Sequence, residues 1–240
     1  MKFVITNDDG IDAPGIAALV KACAGFGAEI VVVAPHLASS GIGHQVTTDA
    51  TIAVDEDAPG RFRVHGTPAD CTRLALTELA ADAAWVLAGI NRGANLGADA
   101  YISGTVAAVR EAALLGRPAI ALSQYIGPGR EVDWELTARR VARVLARLFA
   151  TSVGPAQFLN VNLPHPLAQN VDLEIADCEL DPSPHGVRFE RSPCGTGFVW
   201  AGDYHGRPRV AGRDVDVCFG GRIAVTRLSL DPAAAERPRT

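Results

Sequence analysis

Lys2-Phe3-Val4-Ile5-Thr6-Asn7-Asp8-Asp9-Gly10 begins with a short apolar run that stops at two adjacent carboxylates. Phe3 to Ile5 reads as a buried strand and Asn7 to Gly10 as the tight turn at its carboxyl end. Gly15, Ile16, Leu19, Val20, Cys23 and Phe26 then recur at spacings of three and four, the stripe of a helix with one face on a core. Strand, turn and helix in this order point to an α/β chain with an open parallel sheet. In such a sheet ligands bind in the crevice beyond the carboxyl ends of the strands, where Asp8 and Asp9 are expected.

Two neighbouring carboxylates repel, and keeping both ionised requires a cation or hydrogen-bond donors. Oxygen ligands suit Mg²⁺, Mn²⁺ or Ca²⁺, whereas zinc recruits Cys or His, and neither lies in this turn. The competing reading is turn chemistry, with one acid capping the helix and Gly10 supplying a permissive backbone.

Composition narrows the function classes. The 240 residues suit one large domain or a domain with an appended lobe; with 48% hydrophobic and 20% charged residues the chain is globular, and a net charge of -5 offers no basic surface for nucleic acid. Cys23, Cys71, Cys178, Cys194 and Cys218 are scattered and never in Cys-x-x-Cys spacing, which argues against a disulfide framework or a zinc knuckle. The residues before the acids are too few for a signal peptide and no apolar run reaches the length of a membrane span, so no membrane association and a cytoplasmic location are expected.

Further along, Glu29 to Ala34, Ala83 to Ala88, Pro118 to Ser123 and Phe158 to Leu163 read as strands of the same sheet. The loop His36 to His44 after the second strand is rich in small residues and carries Ser39 and Ser40. Thr51 to Val54 and Arg61 to His65 suggest a hairpin leaving the sheet. Thr67, Pro68 and Asp70 have the spacing of a capped helix start that buries Cys71, Leu74, Ala75 and Leu79, and capping accounts for Asp70. Gly89 to Asp99 concentrates glycines around Asn91 and Asn95, a composition poor for a core and suited to backbone approach by a ligand. Ser103-Gly104-Thr105 then opens a helix whose first amides favour an anion. Asp133 caps a long helix with Arg139, Arg140, Arg143 and Arg147 assigned mostly to its solvated side. Beyond Pro164 come short strand-like pieces, Val171 to Ala176, Val187 to Arg191, Phe198 to Trp200 and Ile223 to Leu228, and a tail from Asp231 that looks frayed.

Taken in order, Thr6-Asn7-Asp8-Asp9-Gly10 with Gly15-Ile16, Ala34-Pro35 with Ser40 and Gly43-His44, Gly66 to Cys71, Gly89 to Gly97 and Tyr101 to Ala108 resemble the SurE family of survival-protein nucleotidases. Asn160-Val-Asn162-Leu-Pro164 and Asp214-Val-Asp216 extend the resemblance over nearly the whole chain. It implies a Rossmann-like three-layer sandwich with a mostly parallel sheet: a metal- and phosphate-binding core over residues 1–164 and a smaller C-terminal β-rich lobe and oligomerisation arm over 165–240. The implied activity is that of a 5′-nucleotidase, a divalent-metal-dependent phosphoric monoester hydrolase acting on nucleoside 5′- and 3′-monophosphates and in some members on short polyphosphate. Carried over by position, the ligands of one divalent cation, Mg²⁺ or Mn²⁺ with Ca²⁺ also able to occupy the site, are Asp8, Asp9, Ser40 and Asn91. Ser40 is preferred to Ser39 because the family places its serine three residues before Gly-His. Asn95, Ser103, Gly104 and Thr105 fall where the family holds phosphate, and Asp8 with Asn95 are the catalytic candidates. Homodimers or tetramers are implied. The departures lie late in the chain, where Thr226-Arg227-Leu228 replaces the usual Thr-Pro-Leu and Arg188 to Val199 has few aromatics.

Two other functions compete. A dinucleotide oxidoreductase would need Gly-x-Gly-x-x-Gly at the first turn, where this chain has Asn-Asp-Asp-Gly. A metal- or nucleotide-binding sensor without catalysis would use the same residues.

Overall fold

Strand β1 (Lys2–Thr6) lies inside a nine-stranded sheet. The computed structural model describes residues 1–165 and 172–231. After β1 the chain forms α1 (Pro14–Cys23), a 3₁₀ turn (Ala24–Phe26) and β2 (Glu29–Pro35), which pairs parallel to β1 on one side. It then runs through β3 (Val54–Ala58), β4 (Arg61–Val64) and α2 (Pro68–Leu74), which continues as a π turn over Ala75–Leu79. β5 (Trp85–Arg92) follows and pairs parallel to β1 on its other side. Then come α3 (Asp99–Ile102), α4 (Gly104–Leu114), β6 (Ala119–Gln124), α5 (Trp134–Leu148) and β7 (Gln157–Leu163). The remaining elements are β8 (Ile175–Cys178), β9 (Phe189–Arg191), β10 (Phe198–Trp200), α6 (Asp214–Phe219) and β11 (Ile223–Ser229).

The sheet order is β3-β4-β2-β1-β5-β6-β7-β11-β8, with β9 and β10 forming a separate antiparallel pair. Only β3 with β4 and β7 with β11 are antiparallel in the large sheet. The chain leaves β1 toward β2 and leaves β5 toward β6, in opposite directions across the sheet, so a crevice opens beyond Thr6 and Arg92. The expected α/β class with a mostly parallel sheet is therefore what the chain forms.

Alternation along β1 builds both cores. Phe3 and Ile5 pack with Ile16 and Leu19 of α1 and Val141 and Leu145 of α5, while Val4 packs on the opposite face with Cys71 of α2 and Val106 and Val109 of α4. Phe3, Phe26, Phe149 and Trp85 form an aromatic cluster with ring centroids 5.0–6.5 Å apart, anchoring the amino end of the strands. The capping box at Thr67 is formed in full, and the Asp133 side chain caps α5.

Several expectations are corrected. The hairpin before residue 66 does not leave the sheet: β4 pairs parallel to β2 and β3 covers it as the edge strand. That edge strand is Val54–Ala58 rather than Thr51 to Val54; its acids Asp55, Glu56 and Asp57 are exposed, and Asp57 pairs with Arg61 and Arg63. Arg140 is buried, not solvated, because it follows Leu136 and precedes Val144 at helical spacing on the inner face of α5. Leu74 and Leu79 are only partly buried. Asp214–Phe219, given no element from the sequence, forms helix α6. The start of the expected strand at Val171 and the tail beyond Asp231 lie outside the described residues.

Helix α1 approaches β5 so closely that a Cβ on Gly15 would lie 2.0 Å from the Ile90 carbonyl oxygen. Gly15→Ala must displace α1 or β5, and overpacking of this kind costs about 1–3 kcal/mol. The expected result is a lower urea midpoint together with reduced activity, since Ile90 adjoins Asn91; an unchanged midpoint would contradict the contact.

Candidate active site

Asp8 and Asp9 stand at the crevice between β1 and β5. Asp8 is 4% exposed and Asp9 half-buried. The turn is shaped by Asn7, whose side-chain amide donates to the Gly10 carbonyl at 2.7 Å, and by the Ile11 amide, which donates to the Pro35 carbonyl at 2.8 Å. The second contact brings the end of β2 against the turn.

Three further segments close on the acids. In the loop after β2, the Ser39 amide donates to the Asp8 carbonyl at 2.7 Å, and the Gly43 amide to the Ile102 carbonyl at 3.1 Å. Ser39 Oγ turns back toward the Leu37 carbonyl at 3.5 Å, while Ser40, between the two tethers, is exposed. From β5, the Arg92 amide donates to Asp9 Oδ2 at 2.9 Å, so that Asn91 is next to the residue bonded to Asp9. The Asn91 side-chain amide donates to the Gly93 carbonyl at 3.0 Å, which leaves its Oδ1 as an acceptor. At the start of α4 the Thr105 hydroxyl donates to Asp8 Oδ1, and a Cβ on Gly104 would lie 2.9 Å from Asp8 Cβ. Gly104 is what allows the helix terminus to sit on the acid.

Asn95 is held from below by a polar row across the sheet. Asn91, Ser123 and Asn162 are register partners on β5, β6 and β7. The Asn95 side-chain amide donates to Ser123 Oγ at 2.8 Å and its backbone amide to Asn162 Oδ1 at 2.8 Å. The Asn95 carbonyl accepts from the side-chain amides of Asn160 at 2.8 Å and Asn162 at 3.1 Å. Asp214 fixes the next turn, accepting from the amides of Gly97 and Asp181, each at 2.7 Å. Asp99, paired with Arg207 at 2.6 Å, holds the segment that leads into Ser103.

Comparison with known proteins identifies the family. The family model described as survival protein SurE matches residues 3–181, most of the chain. The chain belongs to the SurE family. A Synechocystis protein named "Putative 5′-nucleotidase" is 47% identical over 228 residues, covering 95% of this chain and 99% of its own length. A Paramagnetospirillum magneticum protein named 5′-nucleotidase SurE is 36% identical, covering 96% of this chain and 90% of its own. The crystal structure of the SurE protein from Aquifex aeolicus superposes with a TM-score of 0.85 at 29% identity, over 98% of this chain and 96% of that one.

In this SurE chain, then, Asp8, Asp9, Asn91 and the Ser40 loop are brought to one crevice, together with the Ser103-Gly104-Thr105 turn. Asn95 sits over the adjoining strands. The hydroxyls of the turn are already engaged: Ser103 Oγ accepts from the Val106 amide at 3.1 Å as the cap of α4, and Thr105 bonds Asp8. Ser123, Asn160 and Glu111 went unread as site residues. The Asn160 and Asn162 pair carried a visible signal, two amides on one face of an otherwise apolar strand; Glu111, on the buried side of an Ala-rich helix, carried none.

Among the described residues no Lys, Arg or His is paired with either acid. Burial therefore raises the Asp8 carboxyl to about 6; the Thr105 hydrogen bond opposes the rise and the neighbouring Asp9 charge adds to it. A carboxyl raised in the folded state stabilises the fold relatively at low pH. That advantage is fully present below the unfolded value near 3.8 and is lost as pH rises through about 6. The metal-free protein is thus expected to lose up to about 3 kcal/mol of stability between pH 4 and 7 through this group. Asp8→Asn, which keeps the Thr105 hydrogen bond, should flatten that part of the profile in chelator-containing urea titrations; an unchanged slope would show that Asp8 is not its source.

Proposed function

We propose that this SurE-family chain is a divalent-metal-dependent phosphatase, a 5′-nucleotidase that hydrolyses nucleoside 5′- and 3′-monophosphates to nucleoside and phosphate, with short polyphosphate as a further substrate. Phosphoric monoester hydrolysis is supported by the relatives named 5′-nucleotidase SurE. The observation that carries the metal is the buried Asp8 carboxylate beside Asp9 with, among the described residues, no cationic side chain paired to either. The donor set fits a hard cation: two carboxylates, the Ser40 hydroxyl and the Asn91 carbonyl oxygen would hold Mg²⁺ or Mn²⁺, with Ca²⁺ able to take the same ligands. Such a cation supplies positive charge against phosphoryl oxygens and makes a water more acidic.

The chain's own groups supply the rest. Asp8, ionised beside the cation it helps to hold, orients the attacking water and accepts its proton. Water adds to phosphorus in line, the bond from phosphorus to the ester oxygen breaks, and solvent protonates the nucleoside leaving group. Asn95 has a second amide hydrogen beyond the one given to Ser123, and this hydrogen with the backbone amides opening α4 stabilises charge on the phosphoryl oxygens. In this reading Ser103, Gly104 and Thr105 contribute through their backbone.

The test is release of phosphate from p-nitrophenyl phosphate and from nucleoside 5′- and 3′-monophosphates, with and without added Mn²⁺ or Mg²⁺. Activity should vanish on chelation and return with the metal. Asp9→Asn should weaken Mn²⁺ binding and activity together by on the order of a hundredfold or more, since removing a ligand's charge costs at least as much as removing a group that supports a ligand. Metal binding with no phosphate release from any of these esters would make the chain a sensor, and a phosphorylated Asp8 trapped by rapid acid quench would replace the water route with a covalent one.

Assembly into a homodimer or tetramer is part of the same proposal. The β9–β10 hairpin exposes Phe189, Phe198, Val199 and Trp200 at 49–65%, an apolar surface suited to another subunit. Sedimentation at micromolar concentration should show a dimer or larger; a monomer would overturn this.

A further inference from the structure

His44 closes the loop that carries Ser40, and its surroundings differ from those of a surface histidine. Its Nε2 lies 2.7 Å from Oε2 of Glu111, a residue of α4 that is 2% exposed. The other oxygen of Glu111 accepts from Arg73 Nε at 2.6 Å. On the far side of the ring, Nδ1 lies 3.4 Å from Arg110 Nη1. With a carboxylate as one partner and a guanidinium as the other, the partners assign the tautomer: Nε2 donates and Nδ1 accepts. Both ring nitrogens are thus turned to α4, not to the crevice.

We propose that His44 is a positioning residue of the hydrolytic site: its hydrogen bond to buried Glu111 fastens the loop 36–44 to α4 and thereby sets where Ser40 stands relative to Asp8. The loop has two ends to fix. One is held by the Ser39 amide on the Asp8 carbonyl, and the other by the Gly43 amide on Ile102 together with the His44 side chain on Glu111. The same helix presents Thr105 to Asp8, less than two turns before Glu111. Helix α4 therefore acts as a strut that references the loop and the acid to one rigid body. Without the latch, the exposed Ser40 segment is left with the backbone tethers of Ser39 and Gly43 and, at the far end of the loop, the stack of His36 on His65, and the cation loses a preplaced ligand. This rests on the proposed role of Ser40 as a ligand.

The test uses full-length protein and four variants: His44→Ala, His44→Gln, Ser40→Ala and the double variant with alanine at both positions. Glu111 keeps its Arg73 partner in all of them. Two readouts do not depend on turnover: the calorimetric dissociation constant for Mn²⁺, and amide hydrogen exchange of residues 36–44 in metal-free protein. His44→Ala should speed exchange in that loop while α4 stays protected, and should weaken Mn²⁺ binding about tenfold, the scale of losing a supporting partner. Ser40→Ala should weaken binding at least as much, and the double variant no further, because the two act through one ligand. His44→Gln, whose amide nitrogen can reach Glu111, should recover most of the affinity. At saturating Mn²⁺, kcat should change far less than the dissociation constant.

Unchanged exchange and affinity in His44→Ala, with Ser40→Ala weakened, would overturn the latch while leaving Ser40 a ligand. Wild-type affinity in Ser40→Ala would overturn the ligand assignment and the latch with it. A fall in kcat at saturating Mn²⁺ with unchanged affinity in His44→Ala would assign His44 to proton transfer instead and overturn the proposal.

Discussion

The burial of an ionisable acid beside a second acid, with no cationic side chain among the described residues paired to either, governs this molecule. Most of the polar construction at the carboxyl end of the sheet answers to it. A hydroxyl and a helix terminus face Asp8, a backbone amide meets Asp9, and glycine at position 104 removes the one methyl group that would separate helix from acid. The central strands β1, β2, β5 and β6 have apolar cores on both faces, large enough to carry a local arrangement that is costly at neutral pH. Stability and chemistry are thus placed at different ends: the aromatic cluster around Phe3 at the amino ends of the strands, the carboxylates at the other.

Much of the framework was legible because burial writes itself into composition. The Ile30 to Val33 run is apolar because both faces of β2 are covered, and the cap at Thr67 could be read because its partners lie within three residues. The edge strand β3 was misplaced for the opposite reason. Its acids satisfy no strand propensity, and only pairing with β4 and the arginines opposite makes the segment extended. Arg140 lies one turn from both Leu136 and Val144, so its place on the inner face is legible from the apolar stripe, whereas the helical spacing of the arginine series points to the solvated face. Helix α6 was missed because Asp214-Val-Asp-Val alternates with the period of a strand while the chain winds as a helix.

For the site, the acids and glycines announced themselves locally, whereas the groups that place Asn95 did not. Its partners Asn160 and Asn162 are 65 and 67 residues away, and only the sheet order puts β7 within reach. Glu111 is similar: a lone acid in an alanine-rich helix says nothing until a loop histidine is found upon it.

The row of Asn91, Ser123 and Asn162, with Asn160 beside it and Asn95 above, bears on how such a site can change over time. Ser123, Asn95, Asn160 and Asn162 are all buried; Asn95 and Asn162 bond each other in both directions, and Asn95 also donates to Ser123 and accepts from Asn160. Exchanging one member strands a neighbour's donor or acceptor away from water, so the cost falls on a residue that was not altered. Sequence drift across these strands is therefore epistatic: a substitution becomes tolerable only after its partner has moved, and mutational paths through positions 95, 123, 160 and 162 are ordered.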